Sequence, residues 1–261
     1  MSGTPATLAG QHAVVTGGGS GIGAAIASEL AGNAVRLTLM GRSRDRLDRH
    51  ANALRPLTDV HCEPADLSDP AAVLAAFAGA AAQLGPVTVL INSAGQALSA
   101  PLARTEVDLW QRLLGVDLTA PFLCMRAALP GMLAAGWGRI VTIASTAGLK
   151  GYAYAAAYCA AKHGVIGLTR AVALELAQTG ITVNAVCPGF TETEIVARSI
   201  ANIQAQTGRD TEAARREITG FNPQGRLVQP EEVAAAVLWL CQPGSASVTG
   251  QAISVSGGEV T

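Results

Sequence analysis

Short runs of β-branched and aliphatic residues alternate with longer alanine-rich segments along the whole chain, and this alternation restricts the architecture more than any other feature. The runs lie at 12–16, 35–40, 60–63, 87–91, 139–144, 182–186 and 252–255. Their apolar residues are nearly continuous, as in strands covered on both faces of a parallel sheet. Helices are expected between them, at about 21–32, 44–55, 69–84, 104–135, 152–178 and 230–241. Ser68-Asp69-Pro70 and Gln229-Pro230-Glu231-Glu232 are helix starts, with proline and acids in the first turn. The expectation is one α/β domain over residues 1–261, built on a doubly wound sheet. Residues 188–229 are expected to be the irregular exception, too long for an ordinary connection, and to form a lid or a substrate-shaping insertion.

Composition removes several classes of function. A net charge of -1 argues against a nucleic-acid footprint or a polybasic membrane patch. The five cysteines are scattered, without CxxC spacing, and read as reduced thiols. The four histidines show no paired-ligand pattern, so no metal site is expected. No basic start followed by an apolar run opens the sequence, and the longest apolar stretch, 71–82, is too short to span a bilayer. A soluble cytoplasmic protein is the expectation.

After the first run comes Thr16-Gly17-Gly18-Gly19-Ser20-Gly21-Ile22-Gly23, then a helix. Glycine lets backbone approach a pyrophosphate, and a helix N-terminus favours its negative charge. The usual dinucleotide pattern is met only at Gly19, Gly21 and Ala24; the wider register Gly17…Gly21-x-Gly23 fits the strand–helix junction better. About 20 residues on, a carboxylate would select NAD(H). The second run ends instead in Gly41-Arg42-Ser43-Arg44. Arg42 is therefore a candidate to hold the 2′-phosphate of NADP(H), the favoured cofactor, with NAD(H) as the alternative. A solvated basic helix start is the other reading of Arg42. Asp66 is a candidate acceptor for the adenine amino group, or a plain turn residue.

Tyr158 precedes Lys162 by four residues in a stretch expected to be helical. That spacing stacks a phenol and an ammonium on one face. A phenol ordinarily ionises near pH ~10, too high for proton transfer at neutral pH. A cation beside it is expected to bring that value down by up to about three units.

With these residues in view, the chain resembles the short-chain dehydrogenase/reductase family in its compact form. The resemblance rests on TGGGSGIG at 16–23, Asp66-Leu67, Asn92-Ser93-Ala94-Gly95, Ser145, YCAAK at 158–162, Asn184, PGFTET at 188–193 and Gly257-Gly258. It implies a Rossmann-like, seven-stranded parallel sheet with helices on both faces and NAD(P)-dependent ketone/alcohol chemistry. It also implies that Ser145 binds the substrate oxygen, Tyr158 is the general acid/base, and Lys162 binds the nicotinamide ribose while tuning Tyr158. Ser20, Ile22, Leu67, Asn92, Ala94, Gly95, Pro188, Gly189, Thr191 and Thr193 join the glycines at the cofactor, with Thr193 on the carboxamide. Where relatives carry an asparagine that holds a relay water, this chain carries Asp117. A buried carboxylate there would pair with Lys162 and weaken its effect on Tyr158.

The C-terminal third is similar to 3-oxoacyl-thioester reductases, so the expected small-molecule substrate is a 3-oxoacyl or 3-hydroxyacyl thioester, CoA- or carrier-linked. A small free ketone, a cyclic alcohol, and an NADP-binding sensor without turnover are the alternatives. Arg198, Arg209, Arg215 and Arg216 either meet the phosphates of such a carrier or form the solvated face of a helix with Glu212 and Glu217. Gln96, Tyr152, Tyr154 and Phe190 are candidate pocket walls; packing or subunit contact is an equal reading for the two tyrosines. Similar proteins assemble through long alanine-rich helices, and a homotetramer is expected.

Overall fold

The computed structural model describes residues 7–208 and 210–261. In chain order the elements are β1 (His12–Thr16), α1 (Gly21–Gly32), β2 (Arg36–Gly41), α2 (Arg44–Leu54), β3 (Val60–Pro64), α3 (Pro70–Leu84) and β4 (Val89–Asn92). They continue with α4 (Val107–Leu114), α5 (Ala120–Ala135), β5 (Gly138–Ile143), α6 (Ala156–Glu175), β6 (Ile181–Pro188), α7 (Glu194–Thr207), α8 (Thr211–Thr219), α9 (Pro230–Cys241) and β7 (Ala252–Val255). The seven strands form one parallel sheet in the order β3-β2-β1-β4-β5-β6-β7.

Both faces of this sheet are covered, which is why the strand residues read as continuous apolar runs. Val15 faces a layer made by α1, α2 and α9, with Ile26, Leu47 and Val237 packed there. Val14 faces the layer of α3, α5 and α6, with Val73, Phe77, Cys124 and Ala173. Neither valine has exposed surface. Each such side chain contributes roughly 1.5–3 kcal/mol over its solvent-exposed state.

The strand order reverses between β1 and β4, and the crevice at their carboxyl ends is the binding position of an open α/β sheet. Thr16 fastens its rim: its hydroxyl oxygen accepts from the Ser93 N–H at 2.9 Å and the Ala94 N–H at 3.0 Å. The first turn of the chain after β4 is therefore hung from the end of β1.

Three segments differ from the sequence expectation. Residues 104–135 are not one plain helix: a five-residue π-helical turn, Gly115–Thr119, separates α4 from α5. A π-turn adds a residue to the helical repeat and redirects the following side chains. The helix expected from 152 starts only at Ala156, because Tyr154 is left-handed, with φ +65°. Residues 188–229 are not irregular, since α7 and α8 occupy them and pack against each other through Val196, Ile200, Ala214 and Ile218. The helical run Val107–Ala135 is long and apolar enough by length and composition to cross a bilayer, and here it buries Leu113, Ala120, Cys124, Ala128 and Met132.

Candidate active site

Ser145, Tyr158, Lys162 and Asp117 converge at the carboxyl ends of β4 and β5. Ser145 follows β5 and caps a short helical turn, its Oγ accepting from the Ala147 N–H at 3.1 Å. Tyr158 and Lys162 lie one turn apart near the start of α6, with Lys162 Nζ 5.6 Å from the Tyr158 ring centroid. The π-turn aims Asp117 inward, where it is 1% exposed.

The Lys162 ammonium, itself buried, makes two contacts: it donates to the Ile143 carbonyl at 3.0 Å and pairs with Asp117 Oδ1 at 3.1 Å. The Gln96 N–H donates to both oxygens of Asp117, at 3.3 and 3.4 Å. Burial works against the Lys162 ammonium, but the charges of Asp117 and Tyr158 outweigh it and hold its pKa above the usual lysine value. Burial pushes the Asp117 carboxyl up, against the pull of Lys162.

Lys162 pulls the Tyr158 phenol down, as the spacing implied, but does not bring it below the ordinary phenol value. Tyr158 lies above the ordinary phenol value because burial is the largest influence. Lys162 and Ser145 pull it down, while Asp117 pushes it up. The carboxylate at the usual asparagine position thus does what the sequence indicated: it takes up part of the lysine's charge.

Gly95 is required by this arrangement. A Cβ there would lie 2.8 Å from Asp117 Oδ1 and 3.6 Å from Lys162 Nζ. Gly95→Ala is expected to destabilise the fold by about 1–3 kcal/mol, read as a lower urea midpoint; an unchanged midpoint would mean the loop yields freely.

The glycine loop forms a cradle suited to a dinucleotide. Gly17 and Gly21 take positive φ, +68° and +55°. A Cβ on Gly17 would lie 3.0 Å from Ala94, and one on Gly23 would strike the Gly17 carbonyl. Gly19 packs on the Arg46 backbone, where a Cβ would come within 3.1 Å. Ser20 is the N-cap residue of α1 but makes no side-chain cap bond, and the first turn holds no acid. That terminus, with Ile22 in its first turn, therefore presents backbone donors without a competing acceptor, which suits a pyrophosphate. At the end of β4, Asn92 Oδ1 is a buried acceptor without a donor among the described residues.

The other predicted cofactor residues separate into groups. Thr193 lies over the loop, its methyl 3.4 Å from where a Gly21 Cβ would be, and its hydroxyl donates to the Thr191 carbonyl at 3.2 Å. Thr191 in turn donates to the Gly189 carbonyl, next to Pro188 at the end of β6. Arg42 is exposed and makes no ion pair among the described residues. Asp66 Oδ1 accepts from the Ser68 N–H and hydroxyl, at 3.0 and 2.6 Å, the turn role weighed for it; Leu67 is buried beneath it. Asn184 ties β6 to the segment that leads into β7, donating to the Val248 carbonyl and accepting from the Gln251 N–H.

Tyr152 and Phe190 meet edge to face, centroids 6.1 Å apart. Tyr154 does not join them: its side chain is two-thirds exposed, and its carbonyl accepts from the Ala100 N–H at 2.7 Å. The left-handed backbone turns it outward, so it is not a pocket wall here. Sequence reasoning missed Phe221, which completes the aromatic set, and Arg46, whose guanidinium reaches Glu194 at 3.0 Å across the glycine loop. Only long-range packing brings either of them in. Arg198 and Arg215 pair with Glu194 and Glu192, and Arg209 lies outside the described residues. A cavity of about 280 Å³ beside α8 is lined by Glu192, Arg215, Arg216 and Arg226, and by none of the catalytic set.

The family model for short chain dehydrogenases matches residues 11–204. The chain belongs to this family. It is 43% identical over 258 residues to ketoacyl reductase 1 of the granaticin polyketide synthase of Streptomyces violaceoruber, covering 98% of this chain and 95% of that protein. It is 36% identical over 250 residues to a D-beta-hydroxybutyrate dehydrogenase of Rhizobium meliloti, covering 94% and 97%. A single-residue variant of actinorhodin polyketide ketoreductase, solved with NADPH, superposes with a TM-score of 0.91 at 40% identity, covering 95% of this chain and 97% of the other. This short chain dehydrogenase is an NAD(P)-dependent oxidoreductase that interconverts a ketone and a secondary alcohol.

Proposed function

We propose that the enzyme reduces a 3-oxoacyl thioester, CoA- or carrier-linked, with NADPH as the preferred donor, and that Ser145, Tyr158 and Lys162 carry the reaction. The observation that carries the catalytic assignment is the Lys162 ammonium, buried and held on one face of α6 with Tyr158, which the Ser145 side chain hydrogen-bonds. A nicotinamide bound beside them supplies the hydride. Ser145 and Tyr158 hold the substrate oxygen as charge develops on it. Tyr158 gives that oxygen its proton, and Lys162 stabilises the phenolate that remains. Gly17–Gly23, Asn92, Ala94 and the 188–193 segment hold the dinucleotide, with Arg42 at the 2′-phosphate.

The thioester reading is supported by the ketoacyl reductase relatives, while the hydroxybutyrate dehydrogenase relative supports the 3-oxo/3-hydroxy pattern without the thioester. Pairing of Arg198 and Arg215 with carboxylates favours a second reading, a small free ketone, because it leaves fewer cations for a carrier phosphate. The deciding measurement is kcat/KM for acetoacetyl-CoA against 2-butanone with NADPH. Preference for the thioester is expected, and preference for the free ketone rejects it. No turnover of any ketone in a broad panel, with NADPH still bound, identifies a sensor.

Asp117 sets the working pH. Its charge raises the Tyr158 pKa, after burial, which raises it most. Alcohol oxidation needs the phenolate, so its rate climbs as pH passes that pKa. Asp117→Asn removes the raising charge, and the climb should move to lower pH. A pH–rate profile with an unmoved limb would remove Asp117 from this role.

The assembly expected is a homotetramer in the cytoplasm, without membrane or nucleic-acid partners. Leu102, Val107 and Leu174 are each more than 60% exposed on or beside α4 and α6, apolar surface of the kind subunit contact would cover.

A further inference from the structure

The tail after β7 turns back beneath the substrate side of the site. Gly257 and Gly258 take φ +64° and +93°, a turn that L side chains resist. A Cβ on Gly257 would strike the Asn222 amide, and one on Gly258 would lie 3.6 Å from Pro223, so the tail is seated against the chain that follows α8. The next residue is Glu259, whose side chain is 1% exposed. Its Oε1 accepts from the Tyr152 hydroxyl and pairs with Lys150 Nζ at 3.0 Å. Since the Tyr152 proton goes to Glu259, the Thr146 hydroxyl donates to Tyr152, at 2.7 Å. Thr146 is the neighbour of Ser145. On its other side, Glu259 Oε2 would stand 2.9 Å from a Cβ on Gly189, so the carboxylate also fills the space behind that glycine.

The group held in this way is an aromatic wall. The Tyr152 ring meets Phe190 edge-on and Phe221 at 5.8 Å, and Phe190 and Phe221 lie 5.3 Å apart. Three separate loops supply the three rings: the one after Ser145, the one after β6, and the one after α8. Lys150 Nζ lies over the Tyr152 ring at 5.0 Å, so its position as well as the phenol's depends on Glu259. Hydrogen bonds to an ionised acceptor are short and directional, and a buried carboxylate without donors is strongly disfavoured. Glu259 Oε2 has no hydrogen-bond partner among the described residues, so the two contacts of Oε1, to Tyr152 and Lys150, are what hold the carboxylate, and through it the Tyr152 ring, in place.

We propose that Glu259 is a positioning residue that sets substrate selectivity, by locking Tyr152 and Lys150 so that the wall stands at a fixed distance from Ser145 and favours ketones whose non-reacting part is bulky and flat. This rests on the assignment of Ser145 and Tyr158 to the reacting end. Glu259 touches neither the reacting atoms nor the dinucleotide and takes no part in the proton transfer.

The test is the ratio of kcat/KM for 1-tetralone to that for 2-butanone, with NADPH saturating. Glu259→Ala should lower the ratio about tenfold, mostly through KM for the bulky ketone. Tyr152→Phe, which keeps the ring and deletes the hydroxyl, should lower it in the same direction. Glu259→Gln keeps the acceptor for Tyr152 and should restore the ratio to within about threefold of the parent. Equal losses on both ketones, or a ratio within about twofold of the parent in Glu259→Ala and Tyr152→Phe alike, overturns the proposal. If Glu259→Ala does not fold, the Tyr152→Phe ratio decides alone. Tyr158→Phe is the separate control. Should that variant keep its turnover, the assignment of the reacting end fails, whereas its inactivity together with an unmoved ratio in the Glu259 variants rejects only the role of Glu259.

Discussion

Tyr158→Phe is expected to lose about 10²–10⁴-fold in kcat while still binding NADPH. The substitution removes one hydroxyl and leaves the ring on α6, so packing against Lys162 persists. What disappears is the only phenol beside both Ser145 and Lys162 among the described residues. Ser145 can still hold the substrate oxygen, but the proton that must reach it then has to come from water. Single-turnover kinetics separate the two parts: hydride transfer should slow by that factor, with the dissociation constant for NADPH changed little. A variant that retains more than about a tenth of the parental rate would place the proton donor elsewhere.

Lys162→Met is expected to be the most damaging substitution to stability as well as to turnover. Lys162 is the sole ion-pair partner of Asp117 among the described residues, and both are buried. Truncating one member of such a pair strands the other charge, at a cost of about 3–5 kcal/mol. Methionine has similar length and fills the space, so the loss reports charge rather than volume. The double variant Lys162→Met/Asp117→Asn should recover most of that stability, because neither residue is then charged, yet none of the activity. Urea midpoints for the two single variants and the double variant form a closed cycle. Additive losses, with no recovery in the double variant, would show that the pair contributes nothing as a pair.

The seven strands and their order of appearance were legible because a doubly covered parallel sheet leaves an unmistakable trace, uninterrupted aliphatic residues such as Val14 and Val15. The glycine loop was legible for a similar reason. Positive φ at Gly17 and Gly21 and the close approach to Ala94 are demands only glycine meets. The pairing of Lys162 with Asp117 was within reach only through the family resemblance, which put Asp117 at the position of the usual asparagine. The phenol's direction of shift was not. It depends on how much solvent the fold removes from Tyr158, and spacing carries no information about burial.

Local chemistry, read in order along the chain, was sufficient for the sheet, the glycine cradle and the spacing of Tyr158 and Lys162, because each depends on residues close in sequence or on a periodic pattern, whereas Ser145 came in only through the resemblance to the family. Tertiary packing alone decided that Tyr154 points outward, that Phe221 faces Tyr152, and that Glu259 returns from the C-terminal tail to hold Tyr152 and Lys150. The Phe221 and Glu259 contacts join segments more than 60 residues apart in the chain, and their energy exists only after the intervening helices and strands have packed.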